Sequence, residues 1–257
     1  MSLTFEIREN IGVITLNRPE KYNSVIRELA LSFQEKLDFC NDSEEVRAVY
    51  ITGAGKAFCA GQDLAEVVDP DGPELGDIVS QHFNPIITKI RTLKKPVVAA
   101  VNGVAAGAGA NIALACDIVV AAESASFIQA FSKIGLIPDS AGTYFLPRLV
   151  GMQKASALIM LGDKIGASEA ERLNMIYKVF PDDSFAASSW ALAKQLAELP
   201  TLALALSKQA LNESYGNNLF QQLEVEDSLQ RKAGESEDYA EGVQAFLEKR
   251  KAVFKGR

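Results

Sequence analysis

A single acidic residue in apolar surroundings, Asp139, is the strongest side-chain candidate for acid–base chemistry in this sequence. It lies in the segment Pro-Asp-Ser-Ala-Gly at residues 138–142, with apolar residues on both sides. A carboxylate is costly to place among apolar groups unless it has a task or a partner, and an apolar setting also raises its basicity. Taken alone, the segment is also typical of a turn and helix cap, and this interpretation competes with the catalytic one.

Backbone amide groups are the second candidate for chemistry. A β-branched run at residues 97–101 predicts a buried strand, and the sequence Gly-Ala-Gly-Ala at residues 107–110 then leads into an apolar helix that ends near Cys116. Because glycine has no side chain to keep a ligand away, the N–H groups at the start of this helix can approach an oxygen closely. The pattern therefore predicts an oxyanion site, although tight packing of a helix on a sheet would use the same small residues.

Two other functions would use an apolar, glycine-rich stretch of this kind, and the residues argue against both. A membrane span is disfavoured because Asn102, Asn111 and Asp117 interrupt a run that is mostly Ala and Gly. A dinucleotide-binding fingerprint needs a small residue at its third glycine position, where Ile112 stands. The oxyanion site is the interpretation that remains.

The composition limits the class of protein. A chain of 257 residues is long enough for one sizeable core, and a net charge of −7 gives no basic footprint for nucleic acid. The N-terminal sequence lacks the basic and then apolar pattern of a signal peptide. The cysteines, Cys40, Cys59 and Cys116, cannot all pair and lack metal-ligand spacing. We therefore expect a cytoplasmic enzyme or binding protein with reduced thiols.

The only histidine, His82, narrows the possible mechanisms. One histidine cannot form a multi-histidine metal site, and a Ser–His nucleophile pair would have to use it although the chain has no G-x-S-x-G sequence. His82 lies in a predicted helix at residues 76–93. We expect it to be a surface or packing residue, and we expect no metal site.

Alternating and helical hydrophobic patterns predict an α/β core followed by helices alone. Ser168 and Glu171 have the spacing of a capping box that opens a helix, and Asn174 stands where that helix should end. The composition changes near Pro200, which indicates a helical C-terminal part. The predicted strands are residues 3–7, 13–16, 46–52 and 97–101, with a turn at 8–12, and the predicted helices are residues 27–39, 76–93, 145–161 with a break at Gly151, 188–198 and 239–254.

Five groups of short motifs are spread along nearly the whole chain. They are Leu-Asn-Arg-Pro at 16–19 with Asn23, Lys-Ala-Phe-Cys-Ala-Gly-Gln-Asp-Leu at 56–64, Ala-Ala-Val-Asn-Gly at 99–103 with Gly107 and Gly109, Cys-Asp at 116–117, and Glu-Gly at 241–242 with Ala-Phe at 245–246 and Lys-Arg at 249–250. In their order and spacing these motifs resemble the enoyl-CoA hydratase/isomerase (crotonase) superfamily. The resemblance implies an α/β fold with a crotonase-like spiral of repeated β-β-α units in residues 1–199. It also implies a helical C-terminal trimerisation segment in residues 200–257, and hence a homotrimer or homohexamer.

The same resemblance implies roles for individual residues. The backbone N–H groups of Gln62 and Ala108 would form an oxyanion hole for the carbonyl of a CoA thioester. An acyl-CoA is the expected partner, with coenzyme A as part of the substrate and no separate cofactor, nucleic acid or membrane. The implied substrate and CoA contacts are Ala60, Gln62, Asp63, Leu64, Asn111 and Lys249, the last of them for the CoA phosphates.

The resemblance also separates two reactions. Hydratases of the superfamily activate water with two glutamates, and the matching positions here hold Asn111 and Phe131, neither of which can deprotonate water near neutral pH. Asp139 occupies the position where isomerases of the superfamily carry their acid/base carboxylate. The surrounding residues most resemble isomerases that ring-expand an epoxide of phenylacetyl-CoA, so we expect that reaction, a 3-enoyl to 2-enoyl-CoA double-bond shift, or both. The alternatives are a hydratase-like enzyme and a non-catalytic CoA-binding protein.

Overall fold

Ten strands form two sheets in the computed structural model, which describes residues 1–257. In the larger sheet β1, β2, β3, β5, β7 and β10 are neighbours in that order, and in the smaller sheet β4, β6, β8 and β9 are. The strands are β1 Leu3–Arg8, β2 Ile11–Leu16, β3 Ala48–Gly53, β4 Ala57–Cys59, β5 Val97–Val101, β6 Val104–Ala106, β7 Ile118–Ala122, β8 Ser126–Ile128, β9 Lys164–Gly166 and β10 Lys178–Phe180.

The first two strands form the predicted antiparallel hairpin, but its turn is shorter than the five residues we expected. Only Glu9 and Asn10 lie between the strands, and Ile11 already pairs with Arg8. Both turn residues have positive φ angles, 51° and 62°. A two-residue loop with this backbone matches the twist of the flanking strands, which is why pairing continues to the turn.

The repeated unit of the fold is a longer strand in one sheet followed by a three-residue strand in the other. The pairs β3–β4, β5–β6 and β7–β8 follow this pattern, and successive members pair in parallel within each sheet. Helices connect the units, as parallel strands require. The predicted α/β spiral of β-β-α units is confirmed, and it brings the loops after β4 and β6 side by side.

Twelve α-helical segments complete the chain, and the later ones form the helical C-terminal part. The predicted break of one helix at Gly151 is confirmed, because its φ of 78° separates two helices. The helices are α1 Arg27–Asp42, α2 Leu64–Val67, α3 Leu75–Asp77, α4 Asn84–Thr92, α5 Ala108–Ala115, α6 Gly142–Val150, α7 Met152–Leu161, α8 Ala167–Arg172, α9 Phe185–Glu198, α10 Thr201–Ser214, α11 Leu219–Gly234 and α12 Glu237–Glu248. None of them is both long and apolar enough to cross a membrane.

The predicted capping box at Ser168 is wrong. Helix α8 begins one residue earlier, at Ala167, and has no side-chain cap. Its first residue instead donates its N–H to the Ala125 carbonyl at 3.0 Å, because the helix starts directly after β9 leaves the small sheet. The predicted end is confirmed, since Asn174 has a φ of 57° two residues past the helix.

The last helix is shorter than predicted. Lys249 adopts a left-handed conformation and ends α12 at Glu248, and residues 250–257 return along the helix as an extended tail. The buried Asp238 carboxylate accepts the N–H groups of Lys255 at 2.6 Å and Gly256 at 2.7 Å. These hydrogen bonds satisfy amides that a continuing helix would have bonded internally.

Arg47, just before β3, joins the C-terminal helices to the core. Its guanidinium donates to the Thr201 hydroxyl at 3.0 Å, to the Leu199 carbonyl at 2.7 Å and to the Phe254 carbonyl at 2.6 Å. The apolar residues of the C-terminal part differ in exposure: Leu202, Leu204, Leu206 and Phe254 are half-buried, whereas Phe220, Leu223 and Phe246 are exposed. An apolar surface of this kind is typical of an interface between proteins.

Removal of residues 200–257 is expected to give aggregated or unfolded protein rather than an active small core. The truncation deletes the Thr201 and Phe254 acceptors of Arg47, which leaves this half-buried guanidinium with the Leu199 carbonyl alone. It also deletes the ion pair of Lys208 with Asp117 at 2.8 Å and exposes the apolar surface that the C-terminal helices cover. Size-exclusion chromatography with light scattering measures the outcome. A monodisperse, cooperatively unfolding 1–199 fragment would contradict this view of the C-terminal segment.

Candidate active site

Two backbone N–H groups are available at the start of α5. Ala108 is the first residue of that helix, so its N–H has no acceptor within the helix, and the N–H of Gln62 has no hydrogen-bond partner in the chain. Their segments lie side by side, since a Cβ atom on Gly61 would be 3.3 Å from the Ala108 nitrogen. This is the arrangement that an oxyanion hole requires: two fixed donors beside each other at a helix N-terminus.

Glycine at two positions makes this close approach possible. Gly107 has a φ of 53° and donates its N–H to the Ile128 carbonyl at 2.8 Å, which turns the chain from β6 into α5. Gly109 packs against β4 so closely that a Cβ atom there would lie 2.2 Å from the Cys59 carbonyl oxygen. The glycines therefore have both of the roles considered for them: they allow the helix to pack closely on the sheet, and they leave the backbone N–H groups accessible.

Asn23 ties the loop that carries Gln62 to its neighbours. Its side chain accepts the Arg18 N–H at 2.8 Å and donates to the carbonyls of Ala54 at 2.9 Å and Ala57 at 2.8 Å. It is fully buried, so each of these polar groups needs its partner. This network explains why the Leu-Asn-Arg-Pro motif and Asn23 accompany the loop that follows β4.

Asp63 has a structural role in the same loop. It accepts hydrogen bonds from the Arg18 guanidinium at 2.8 Å and from the Ala65 N–H at 3.0 Å, as the N-cap of α2. Burial opposes its ionised form, but these hydrogen bonds and the Arg18 charge outweigh that effect, so the pKa of Asp63 lies below its usual value. The Asp63 carboxylate therefore stabilises the loop. We had predicted that it contacts the substrate.

The other loop residues differ in exposure. Ala60 donates its N–H to the Tyr22 carbonyl at 3.0 Å and is half-buried, whereas Leu64 is 53% exposed and is available to a ligand. The Gln62 side chain donates to Glu66 at 2.8 Å, which fixes the residue that carries one of the two free backbone N–H groups. Glu66 was not among our predicted site residues.

Asp139 is half-buried in the turn before α6. Its Oδ1 accepts a hydrogen bond from the Ser140 hydroxyl at 2.8 Å. Burial raises the pKa of Asp139 above its ordinary value, and the Ser140 hydrogen bond only partly offsets this. A carboxylate with a raised pKa is a stronger base, which suits proton transfer at carbon.

The turn that carries Asp139 is strained. Ser140 and Ala141 have φ angles of 51° and 59°, in a region that residues other than glycine rarely adopt. Each such residue costs on the order of 1 kcal/mol, so surrounding contacts must hold the turn in place. The pair therefore adopts the left-handed backbone that two glycines would adopt with less strain.

Ser140→Ala is expected to move the acid limb of the pH–rate profile to higher pH by roughly one unit. The hydroxyl stabilises the ionised form of Asp139, so its loss should raise the pKa of that carboxyl further. The profile of kcat/KM measures the shift. Ala141→Gly is the matched control, because it relieves backbone strain without touching the hydrogen bond. An acid limb that stays in place in Ser140→Ala would contradict the assignment.

Asn111 lies beneath the Asp139 turn. It is 1% exposed, its Nδ2 donates to the Asp139 carbonyl at 2.9 Å, and its Oδ1 accepts from Gln129 Nε2 at 2.8 Å. We predicted a substrate contact for Asn111, but the structure occupies both ends of its amide with protein groups. Gln129 was missed in the sequence; a lone glutamine in the apolar surroundings of β8 was the only signal.

The second hydratase position also holds a side chain without acid–base capacity. Phe131 is 6% exposed, and its ring lies 3.8 Å from where a Cβ atom on Gly107 would be. The ring thus covers the turn into α5 from the side of β8. An apolar ring beside the start of α5 lowers the local dielectric constant, which strengthens the interaction of the free Ala108 N–H with a negatively charged oxygen.

Three further predicted features contribute no side chain to these groups. Lys249 is exposed at the end of α12, which packs mainly on α11, so its predicted role toward the CoA phosphates stays a prediction.

His82 is 2% exposed in a π-helical turn, Ile78–Phe83, which confirms that it is a packing residue. Burial lowers the pKa of His82. The cysteines are free and buried, and burial raises the pKa of Cys40 and Cys59 to about 12.

Comparisons with known proteins identify the family of this chain. The sequence profile of the family described as Enoyl-CoA hydratase/isomerase matches residues 6–257. The 1,2-epoxyphenylacetyl-CoA isomerase of Escherichia coli is 46% identical over 254 residues, which cover 98% of this chain and 97% of that protein. A Rhodobacter capsulatus protein named "Probable enoyl-CoA hydratase" is 44% identical, with coverage of 100% and 98%. The crystal structure of an enoyl-CoA hydratase from Bacillus anthracis has a TM-score of 0.92 at 33% identity over 100% of both chains. The chain therefore belongs to the enoyl-CoA hydratase/isomerase family of the crotonase superfamily.

Proposed function

We propose that this enzyme isomerises an acyl-CoA thioester through an enolate, with Asp139 as its single acid/base group. The observation that carries the proposal is the placement of this carboxylate. The Asp139 backbone carbonyl accepts a hydrogen bond from Asn111, which lies three residues after the oxyanion donor Ala108, and burial raises the pKa of the Asp139 carboxyl. The positions that would hold the two glutamates of a hydratase contain Asn111 and Phe131 instead.

The chemistry follows from these groups. The thioester oxygen accepts hydrogen bonds from the N–H groups of Gln62 and Ala108, and each such donor can contribute roughly 100- to 1000-fold to the rate by stabilising the enolate oxygen. Asp139 removes a proton from the carbon next to the thioester and returns it at the γ carbon. Atoms balance without water: one C–H bond breaks, another forms, and the double bond moves between them.

The finer assignment is isomerisation of 2-(1,2-epoxy-1,2-dihydrophenyl)acetyl-CoA to the seven-membered oxepin-CoA, as in phenylacetate breakdown. It is supported by the 46% identity to the E. coli 1,2-epoxyphenylacetyl-CoA isomerase over nearly the full length of both chains. The same enolate stabilisation would assist opening of the epoxide. Hydration is the second candidate, favoured by the name of the R. capsulatus relative, but the neutral Asn111 and Phe131 give water no base.

Binding and assembly belong to the same proposal. The loop from Ala60 to Leu64 would contact the CoA moiety, with the exposed Leu64 side chain as its apolar contact. Lys249 would contact the CoA phosphates. The exposed apolar residues of α11 and α12 support a homotrimer or a homohexamer, and the reduced, buried cysteines suit a cytoplasmic protein.

A parallel assay of three substrates tests the proposal. The purified protein is given the epoxide CoA ester, a 3-enoyl-CoA and a 2-enoyl-CoA, and products are separated by chromatography and mass. We expect turnover of the first two without mass change and little hydration of the third. Addition of water as the main reaction would favour the hydratase, and binding of all three without turnover would favour a CoA-binding protein.

A further inference from the structure

We propose that Gln129 and Asn111 act together as positioning residues for Asp139, so that the catalytic carboxylate depends on a neutral, buried amide pair. This inference rests on the proposed function of Asp139. Gln129 directly follows β8, and Asn111 lies in the first turn of α5. The pair therefore connects the small sheet, the helix that carries the Ala108 donor, and the turn that carries the base.

The Asp139 carbonyl determines the direction of both hydrogen bonds. A carbonyl oxygen can only accept, so Asn111 presents its Nδ2 at 2.9 Å and directs its Oδ1 the other way. That oxygen also can only accept, so Gln129 must donate its Nε2, at 2.8 Å. Gln129 Oε1 is then left buried without a hydrogen-bond partner. A buried oxygen without a partner is unfavourable, so the Gln129 amide keeps this orientation because its Nε2 donates to Asn111 Oδ1.

The turn at Asp139 needs this support. Gly142 lies against Asn111 so closely that a Cβ atom there would be 2.3 Å from Nδ2, so the turn packs directly on this amide. Ser140 and Ala141 hold left-handed conformations that are unfavourable without external contacts. If Gln129 no longer fixed the Asn111 amide, that side chain could rotate and the strained turn could relax, moving the Asp139 carboxylate away from the reacting carbons.

A double-mutant cycle on the full-length protein tests the coupling. Asn111→Leu replaces the amide O and N with methyl groups on the same branched Cγ, Gln129→Leu removes the Gln129 amide, and the third variant combines the two substitutions. Ser126→Ala is the matched control, because Ser126 lies on β8, is 1% exposed, and has a hydroxyl without a hydrogen-bond partner. The steady-state kcat and KM for isomerisation of the acyl-CoA ester are measured for all four variants.

We expect each single variant to lower kcat about tenfold while KM changes less than about twofold, because a displaced base slows chemistry without affecting CoA binding. The double variant should be no slower than Asn111→Leu, because Gln129 acts only through Asn111. Ser126→Ala should keep the wild-type kcat. Additive losses of roughly a hundredfold in the double variant, or a rise in KM at unchanged kcat, would overturn the proposal.

A second measurement separates this proposal from the proposed function. The carboxyl pKa of Asp139 is followed by NMR in the protein without substrate. In Gln129→Leu and Asn111→Leu it should fall towards the ordinary aspartate value, since a relaxed turn admits water to the carboxylate. If the Asp139 pKa falls in these variants but the wild-type protein has no isomerase activity, the proposed function is refuted and the positioning role remains supported. An unchanged pKa in both variants would overturn the positioning role.

Discussion

Asp139→Asn is expected to lower the rate of isomerisation by about 10²- to 10⁴-fold, the range associated with loss of a positioned general base. Asparagine has nearly the same shape, and its Oδ1 can still accept the 2.8 Å hydrogen bond from the Ser140 hydroxyl. It cannot accept a proton at neutral pH, so the enolate cannot form. The measurement is kcat with the acyl-CoA ester, alongside the binding affinity for the same ester, which should be retained.

Two comparisons make this result specific. Asp163→Asn removes an exposed carboxylate that makes no ion pair or hydrogen bond in the structure, and it should leave the rate unchanged. Asn111→Leu should be far less damaging than Asp139→Asn, because Asn111 acts on the base and not on the substrate. If Asp139→Asn retained more than a few per cent of wild-type activity, Asp139 would not be the acid/base group.

The stability of the same variant provides a check on folding. Because the folded-state pKa of Asp139 is raised, the folded protein binds more protons than the unfolded one between the two pKa values, and its stability falls as pH rises through that window. The asparagine side chain carries no charge, so Asp139→Asn should be at least as thermostable as the wild type at neutral pH. The difference in Tm should disappear below the unfolded-state pKa of about 3.9. A large loss of Tm at neutral pH would instead indicate a structural role.

Ala108→Pro is expected to lower kcat by about 10²- to 10³-fold, the effect of removing one oxyanion donor. Proline lacks the N–H that we assign to the thioester oxygen, while its fixed φ suits the first position of a helix. The preceding residue, Gly107, has a ψ of −129°, outside the α region that proline disfavours in the residue before it. The rate is measured with the same CoA ester, and circular dichroism checks that the fold is retained.

Met152→Pro is the matched control for this substitution. Met152 is also the first residue of a helix, α7, and also follows a glycine with positive φ, Gly151 at 78°. It is 72% exposed and lies outside the site, so proline there should leave kcat unchanged. Equal losses in the two variants would show that proline at a helix start, and not the missing donor, is responsible.

The donor at the start of α5 was predictable from the sequence because its geometry is local, whereas Gln62 was predicted only from the family resemblance. A strand, a glycine pair and a helix start are adjacent in the chain, and the first N–H groups of a helix have no acceptor within the helix. The alternation of strands and helices, the hairpin and the Gly151 break were predictable for the same reason. The capping box at Ser168 failed because β9 brings the helix start to a partner, Ala125, from a distant part of the chain.

The roles of Asp63, Asn111 and Gln129 could be decided only by the tertiary structure. Asp63 becomes a loop anchor because Arg18, 45 residues earlier, reaches it, and Asn111 becomes a support because Asp139, 28 residues later, returns over it. The type of a polar residue determines which hydrogen bonds its side chain can make. Only the fold determines whether other groups of the protein already form those hydrogen bonds. The sequence by itself therefore determined the fold class and predicted the donor at the start of α5 and the candidate base, while the folded chain decided which polar side chains are left free for a ligand.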